Sequence, residues 1–235
     1  AAVTNANFLL QKAIAADGEM TRNYKNGKSS INALLDDYAF TIAAFIELYQ
    51  ATFDEKWLTE ANRITVYTLE HFFDTSSGMF FYTHNKYADL IARKMELSDN
   101  VIPSSNSEMA KNLFLLGHFL NKDEYISKAK QMLINVEADV QRNIYFYANW
   151  GMLQALFTSP LYEVAITGNN FAEKRKKFDE HYLPDVILLG GNAASKLALL
   201  ENKLVQGQTM IYVCRDKACE LPVVEVEEAL GQIGN

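Results

Sequence analysis

Two kinds of helix alternate along the first two-thirds of this chain, and that alternation restricts the fold more than any other feature. From Asp36 to Thr52, the side chains of Tyr38, Phe40, Ile42, Phe45, Ile46, Leu48 and Tyr49 cover every side of a helical wheel. A helix that is apolar all round must be buried all round. The next segment, Glu55 to Phe73, repeats Trp57, Leu58, Ala61, Ile64, Leu69 and Phe72 at three- and four-residue steps, with Lys56, Glu60, Arg63 and Glu70 on the other face. That is a helix lying with one side on a core. The contrast then returns. Asn106 to Leu120 is apolar on most faces, Asp123 to Arg142 carries a narrow stripe of Tyr125, Ala129, Met132, Leu133, Val136 and Val140, and Ile144 to Phe157 is again apolar all round. Inner helices enclosed by outer ones that show one face to water form an α/α toroid, and about three inner-outer pairs are expected here. A short amphipathic helix over Ala6 to Ala15 precedes them. The stretch Ser77 to Leu97 opens with alternating aromatic residues after Gly78, which predicts a small hairpin or extended loop.

After Pro160 the period changes. Tyr162 to Gly168 alternates like a strand, Asn169 to Tyr182 reads as helical, Asp185 to Gly191 is a short continuous apolar run, Thr209 to Cys214 is a third strand candidate, and a terminal helix follows Pro222. Strand, helix, strand at this spacing predicts a small βαβ unit. The expected fold is therefore mainly α: a partial α/α toroid over 1–158 and a small α/β subdomain over 159–235, packed together because no Gly/Ser-rich linker separates them.

With 49% hydrophobic residues in 235, the chain can bury a sizeable core. A net charge of -7 without a basic cluster argues against nucleic acid or an anionic membrane surface as partner. The densest basic run, Glu173 to Phe178, reads as a solvated helix face. No apolar run reaches the roughly 18 residues of a membrane span; no secretory signal is visible, which says little about a longer parent, and two cysteines argue against a disulfide-stapled secreted domain. A cytoplasmic location is expected. The chain opens on AAVTNANF without methionine and reads as an excised or processed piece.

The polar groups that invite chemistry cluster at predicted helix starts. Asp36, Asp37 and Tyr38 begin the first inner helix. The two carboxylates can serve as cap and dipole complement. Alternatively, a carboxylate beside a tyrosine at the mouth of a toroid can bind a sugar hydroxyl or act as acid or base. Adjacent carboxylates do not make a glycosidase pair, which must flank the bond from opposite sides about 5 to 10 Å apart. Ser98, Asp99, Asn100, Ser104, Ser105, Asn106 and Ser107 crowd around Pro103. Ser105 or Asn106 is expected to cap the next helix, with Glu108 completing a capping box on Ser105. The surplus short polar side chains suit a pocket wall for hydroxyls or an anion. Arg93 can clamp a carboxylate or phosphate, or pair with Glu96 or Asp99. Phe80, Phe81, Tyr82, Tyr145, Tyr147 and Trp150 are either plain core or stacking platforms for a sugar ring, Tyr82 and Trp150 being the platforms we select. Because inner helices run parallel, Asp36, Asp37, Tyr38, Arg93, Asp99, Ser104 and Asn106 are expected to gather at one end of the layer. A small-molecule ligand would sit there. A toroid open on one side would also favour a homodimer.

His71, His84, His118 and His181 have no metal-ligand spacing, and no phosphate loop or nucleophile elbow stands out, so neither metal nor cofactor is expected. Cys214 and Cys219 are five apart, not in a C-x-x-C arrangement, and are expected to be two free thiols.

Several stretches together resemble one family, the thioredoxin-domain-containing proteins of the spermatogenesis-associated type. They are Leu34 to Ala61, Phe72 to Thr83, Ala92 to Ala110, Glu163 to Gly168 and Val213 to Val223. The sequence departs from the family pattern at Asn100 and Ser105, where glycine is usual. The resemblance implies a parent with an N-terminal thioredoxin-like domain followed by an α/α toroid similar to six-hairpin glycosidases and N-acylglucosamine 2-epimerase, with this chain as its C-terminal part. It transfers no catalytic residues, and fold analogy does not supply a reaction. Two functional expectations stand side by side: part of the cleft of a sugar-active enzyme, or a non-catalytic scaffold that binds substrates or partners for the thioredoxin-like domain.

Overall fold

The computed structural model describes residues 1–87 and 92–233. Its first part is helical: α1 (Ala2–Lys12), α2 (Leu35–Thr52), α3 (Lys56–His71), α4 (Ser105–Leu120), α5 (Asp123–Arg142) and α6 (Ala148–Thr158). Between α3 and α4 lies the expected hairpin, β1 (Phe73–Asp74) against β2 (Met79–Phe80). The part of the Ser77 to Leu97 expectation that falls on 88–91 lies outside the described residues.

The burial follows the sequence pattern closely. In α2 the buried residues include Leu35, Tyr38, Ala39, Ile42, Phe45, Ile46 and Tyr49, and most of α4 is buried as well. The buried residues of α5 are Tyr125, Ala129, Met132, Leu133, Val136 and Val140, the stripe read from the sequence. α2 and α4 run parallel, since Asn112 donates to the Ala39 carbonyl at 2.7 Å while, further along both helices, the rings of Tyr49 and Phe119 sit 5.2 Å apart. α5 lies against α4 at Gly117, where a Cβ would stand 2.4 Å from Ile126 Cγ1. That close approach is the reason for glycine there.

The segment Ile144 to Phe157 corrects the expectation of a third fully buried helix. Residues Ile144–Phe146 form a 3-10 turn, α6 begins only at Ala148, and of α6 only Asn149, Trp150 and Leu153 are buried. Tyr145 is 89% exposed and Met152 59%. An apolar composition sets which faces can be buried. Here α6 meets α4 and α5 on one side only.

The second part is a four-stranded sheet in the order β4-β3-β5-β6, formed by β3 (Tyr162–Thr167), β4 (Val186–Gly191), β5 (Met210–Arg215) and β6 (Ala218–Cys219). β3 and β4 are parallel and joined through α7 (Phe171–Phe178), as the strand-helix-strand pattern predicts, whereas β5 is antiparallel to β3. Alternation sends the two faces to different cores. Val164, Ile166, Ile211 and Val213 pack with Phe178 of α7 and with Val226 and Ala229 of α8 (Val226–Gln232). Ala165, Ile187 and Leu189 join the helical core. The sheet meets the C-terminal ends of α2 and α4. The Leu188 amide donates to Gln50 Oε1 at 3.0 Å, and His118 Nδ1 lies 3.5 Å from Glu163 Oε1. The chain is thus mainly α with a small sheet part, and among the described residues no helix is long and apolar enough to cross a membrane.

Cys214 and Cys219 overturn the expectation of two free thiols, because they form a disulfide. Asp216 and Lys217, both at positive φ, make a two-residue hairpin turn between β5 and β6. In that register residues five apart stand directly opposite. Spacing in the sequence could not show this without the position of the turn.

Candidate functional site

The extended run that starts with β2 crosses the N-termini of both α2 and α4, and this fixes the geometry of the candidate site. The Leu35 amide of α2 donates to the Tyr82 carbonyl at 3.0 Å. Two residues earlier, Asn106 of α4 holds Phe80 by both backbone groups: Phe80 N donates to Asn106 Oδ1 at 2.8 Å, and Asn106 Nδ2 donates to the Phe80 carbonyl at 2.9 Å. Asp37 and Asn106 therefore lie at the same end of the inner layer.

A second extended run, 92–99, lies over the same end. Tyr82 N donates to the Lys94 carbonyl at 2.7 Å, and Asn106 Nδ2 also reaches the Glu96 carbonyl. The Ser105 amide donates to Glu96 Oε2 at 3.1 Å. Both Ser104 Oγ and Trp150 Nε1 donate to the Leu97 carbonyl, at 3.0 and 2.8 Å. The cap of α4 is Ser104, whose Oγ accepts the Ser107 amide, and not Ser105 or Asn106 as expected from the sequence. Pro103 and an extended Ser104 (ψ 148) place the helix start one residue earlier.

Asp99 is the centre of this mesh. Its Oδ1 accepts the Ser104 amide at 2.8 Å and the Ser107 hydroxyl at 3.0 Å, and its Oδ2 accepts the Asn149 amide at 2.8 Å. One buried carboxylate thus satisfies orphan donors at the starts of two helices, α4 and α6, where the helix dipoles favour a negative charge. Asn149 in turn donates to Ser107 Oγ and Glu108 Oε2, and Lys111 closes on Glu108 at 2.9 Å.

The α2 side is more open. Asp37 Oδ2 accepts the Leu34 amide at 2.8 Å and lies 3.4 Å from Arg22. Burial raises its pKa, opposed by that amide bond and by Arg22. Asp36 Oδ1 accepts the Asp37 amide, and its Oδ2 accepts the Tyr82 hydroxyl at 3.1 Å. Burial and the Asp36 charge push Tyr82 up to about 12, so its hydroxyl stays a donor. Asp36 and Tyr82 are both half-buried.

Two of the gathered residues have other engagements. Tyr38 is 1% exposed, accepts the Met20 amide through its hydroxyl at 2.9 Å and packs against Phe72. Arg93 pairs with neither Glu96 nor Asp99: it donates to the carbonyls of Thr83 and His71 and stacks 4.1 Å over the Phe81 ring. Two backbone carbonyls and an aromatic face fill the guanidinium's planar fork. Asn149 went unrecognised in the sequence, while Glu96 and Glu108 have other roles than those the sequence suggests: Glu96 accepts the Ser105 amide and does not pair with Arg93, and Glu108 takes Asn149 and Lys111 and does not complete a capping box on Ser105. For Asn149 there was a signal, since an amide side chain at the start of an apolar helix needs a partner when it is buried.

Chemically this end is rich in acceptors. Carboxylates outnumber cations, most amides and hydroxyls are already bonded to neighbours, and the half-buried pair Asp36–Tyr82 retains acceptor capacity on Asp36. Away from it, an open groove of about 600 Å³ runs between α2 and α7, lined by Glu47, Gln50, Arg175, Asp179 and His181.

No family model matches the chain. Among curated proteins, Spermatogenesis-associated protein 20 of Homo sapiens is 26% identical, and its Mus musculus counterpart 25%, over 81% of this chain. An uncharacterized protein of Caenorhabditis elegans is 23% identical over 92% of it. The chain spans about a quarter of the length of the first two relatives, 26% in each case. A solved structure, the GH76 alpha-mannanase of Bacteroides thetaiotaomicron, is 16% identical, with 82% of this chain and 55% of that one covered at a TM-score of 0.49. That likeness is too distant to carry an argument. The resemblance read from the sequence is matched by these comparisons: this chain is similar to Spermatogenesis-associated protein 20 over 81% of the chain's own length.

Proposed function

We propose that the chain is part of a larger protein, that its helical part forms a segment of an α/α toroid, and that the N-terminal end of its inner helices contributes to a binding site for a neutral polyhydroxylated small molecule. The observation that carries this reading is the half-buried Asp36–Tyr82 pair, an oriented carboxylate at an end where α2 and α4 start side by side. Acceptors outnumber free donors there, so a ligand that brings its own hydroxyl donors fits better than an anion. Trp150, expected from the sequence as a stacking platform, is 0% exposed and belongs to the core; Tyr145 and Tyr147, on the turn bonded to Asp99, carry exposed and half-exposed rings against which a sugar face can stack. Binding is favoured over catalysis. Asp36 and Asp37 are adjacent on one helix start, Asp37 is committed to Leu34 and Arg22, and a Tyr82 at about 12 is a poor proton donor near neutrality.

In this reading the boundary between the helical and sheet parts lies near Ser159–Pro160, the parent carries a thioredoxin-like domain, and the parent is cytoplasmic. The test is a thermal-shift titration of the full-length parent and of this chain with neutral sugars and sugar phosphates, in the wild type and in Asp36→Asn and Tyr82→Phe. A shift with neutral sugars in the parent, lost in both variants, is expected. No shift with any sugar, or one that survives both substitutions, refutes the site. A second reading, a scaffold without ligand, is favoured by the Asp99 mesh, which consumes the polar groups of α4 internally. A parent that binds no sugar would leave that reading in place.

A further inference from the structure

At the other end of the inner helices, groups from separate parts of the chain meet around the disulfide. Cys214 is 2% exposed, whereas Cys219 lies on the exposed side of the hairpin. Glu163 is the register partner of Cys214 across the β3–β5 ladder, so both side chains leave the same face of the sheet. Lys203, from the loop before β5, places its Nζ 3.2 Å from Cys214 Sγ and 5.5 Å from the Tyr212 ring centre. Glu163 is 6% exposed; one of its oxygens faces His118 at 3.5 Å, and the other, Oε2, has no hydrogen-bond partner. Burial lowers the Lys203 pKa, and the Glu163 charge opposes that.

A half-buried ammonium held against a disulfide sulfur has little to gain from it. Desolvating the charge is costly, and a neutral divalent sulfur is a weak acceptor. The same contact made to a thiolate is an ion pair, the arrangement that lowers a cysteine's pKa and makes it a good leaving group.

We propose that Cys214–Cys219 is a thiol–disulfide exchange site for an external dithiol, with Cys219 as the attacked sulfur and Lys203 holding the departing Cys214 thiolate. In the first step a thiolate of the dithiol attacks the Sγ of Cys219, the exposed residue of the pair. A bond forms between the two sulfurs, the Cys214–Cys219 bond breaks, and its electron pair remains on Cys214 Sγ beside the Lys203 ammonium. In the second step the other thiol of the reductant loses its proton to solvent and attacks the reductant's own sulfur in the mixed disulfide. The reductant closes to its disulfide, and Cys219 leaves as a thiolate that takes a proton from water. The protein disulfide has gained two electrons and the dithiol has lost two. The opposite polarity is disfavoured twice: the attacked sulfur would be the buried one, and the departing thiolate would form away from Lys203. Lys203 acts here as a positioning charge on the leaving group.

The experiment uses the whole folded chain. Dithiothreitol reduction is timed by trapping free thiols, and the monothiol glutathione is used to capture the mixed disulfide for mass spectrometry. Glutathione is expected on Cys219. Reduction of Lys203→Met is expected to be about three- to tenfold slower than wild type, with Lys203→Arg close to wild type. The adduct on Cys214, equal rates in wild type and Lys203→Met, or a disulfide that yields to dithiothreitol only after unfolding would each overturn the proposal. Should Lys203→Met not fold, Cys219→Ser supplies an independent measurement, the pH profile of iodoacetamide alkylation at Cys214. A midpoint below the ordinary thiol value of about 8.5 supports the proposal, and one at or above it overturns it.

Discussion

Lowering the pH should destabilise this protein through one histidine in particular. His84 is 2% exposed and is held at both ring nitrogens. The Lys86 amide donates to its Nδ1 at 2.9 Å, which makes Nδ1 an acceptor and places the ring proton on Nε2, 2.9 Å from the Tyr67 hydroxyl oxygen. The ring stacks on His71 at 4.5 Å and meets Phe72 edge-on at 5.2 Å. Protonating Nδ1 would set two donors against each other. Burial, with the charges of His71, Lys86 and Arg93 adding to it, lowers the pKa from 6.5 to about 4. The unfolded chain takes up this proton near 6.5 while the folded chain resists until about 4. The contribution is therefore whole above 6.5 and is lost progressively as the pH falls through that window. At about 1.4 kcal/mol per pKa unit, the loss is on the order of 3 kcal/mol. Urea unfolding of wild type and His84→Gln at a series of pH values from about 7 to 4 isolates this from the carboxylates, which titrate in both. The stability advantage of the wild type should shrink by roughly that amount across the series. Two curves that stay parallel would show that His84 is not the group responsible.

Other substitutions give separate expectations. Asp99→Ala strands the amides of Ser104 and Asn149 and the Ser107 hydroxyl, and should cost about 3 kcal/mol or more in denaturant unfolding; a loss below about 1 kcal/mol would mean water replaces the carboxylate. Gly117→Ala is favoured by helix propensity by about 1 kcal/mol, but the new Cβ would meet the Ile126 amide nitrogen at 3.1 Å and the Lys122 carbonyl at 3.2 Å. Backbone atoms of α5 and its entry cannot turn aside, so a net destabilisation of about 1 to 3 kcal/mol is expected, and a rise in Tm would contradict it. Trp150→Phe keeps the ring in the core but leaves the Leu97 carbonyl with one donor fewer, and about 1 kcal/mol should be lost.

The elements that the sequence made legible are those in which one physical rule acts alone. The apolar stripe of α5 depends only on helical periodicity and a single covered face, and it was read residue for residue. The strand at Tyr162–Thr167 was legible from its alternation and the glycine that closes it, and the one at Val186–Gly191 because a short continuous apolar run ending in glycine has few other uses. What escaped depends on how elements meet. Ile144, Tyr145 and Phe146 look like core, but burial needs a neighbour, and composition does not say whether one is there. Arg93 could be assigned an anionic partner on charge alone, yet in the fold two carbonyls and a phenyl ring reach it first. Asp99 reads in the sequence as a partner for Arg93 or part of a pocket wall, and its role at two helix starts stays hidden because the second of them lies fifty positions further along. The cysteine pair needed the hairpin register, which turns on two residues at positive φ that carry no glycine to announce them.

The shared carboxylate of Asp99 also bears on motion. Helix ends ordinarily fray one by one, because each first turn is held by its own cap. Here the first turns of α4 and α6 hang on the same side chain, so neither can open without releasing an acceptor of the other. Amide hydrogen exchange at Ser104 and at Asn149 should then report one common opening event with one free energy. α5, which lies between these two helices in sequence, is closed into a loop fastened at both ends and cannot swing out as a flap. A ligand that touches this rim would meet a surface that moves as one piece or not at all.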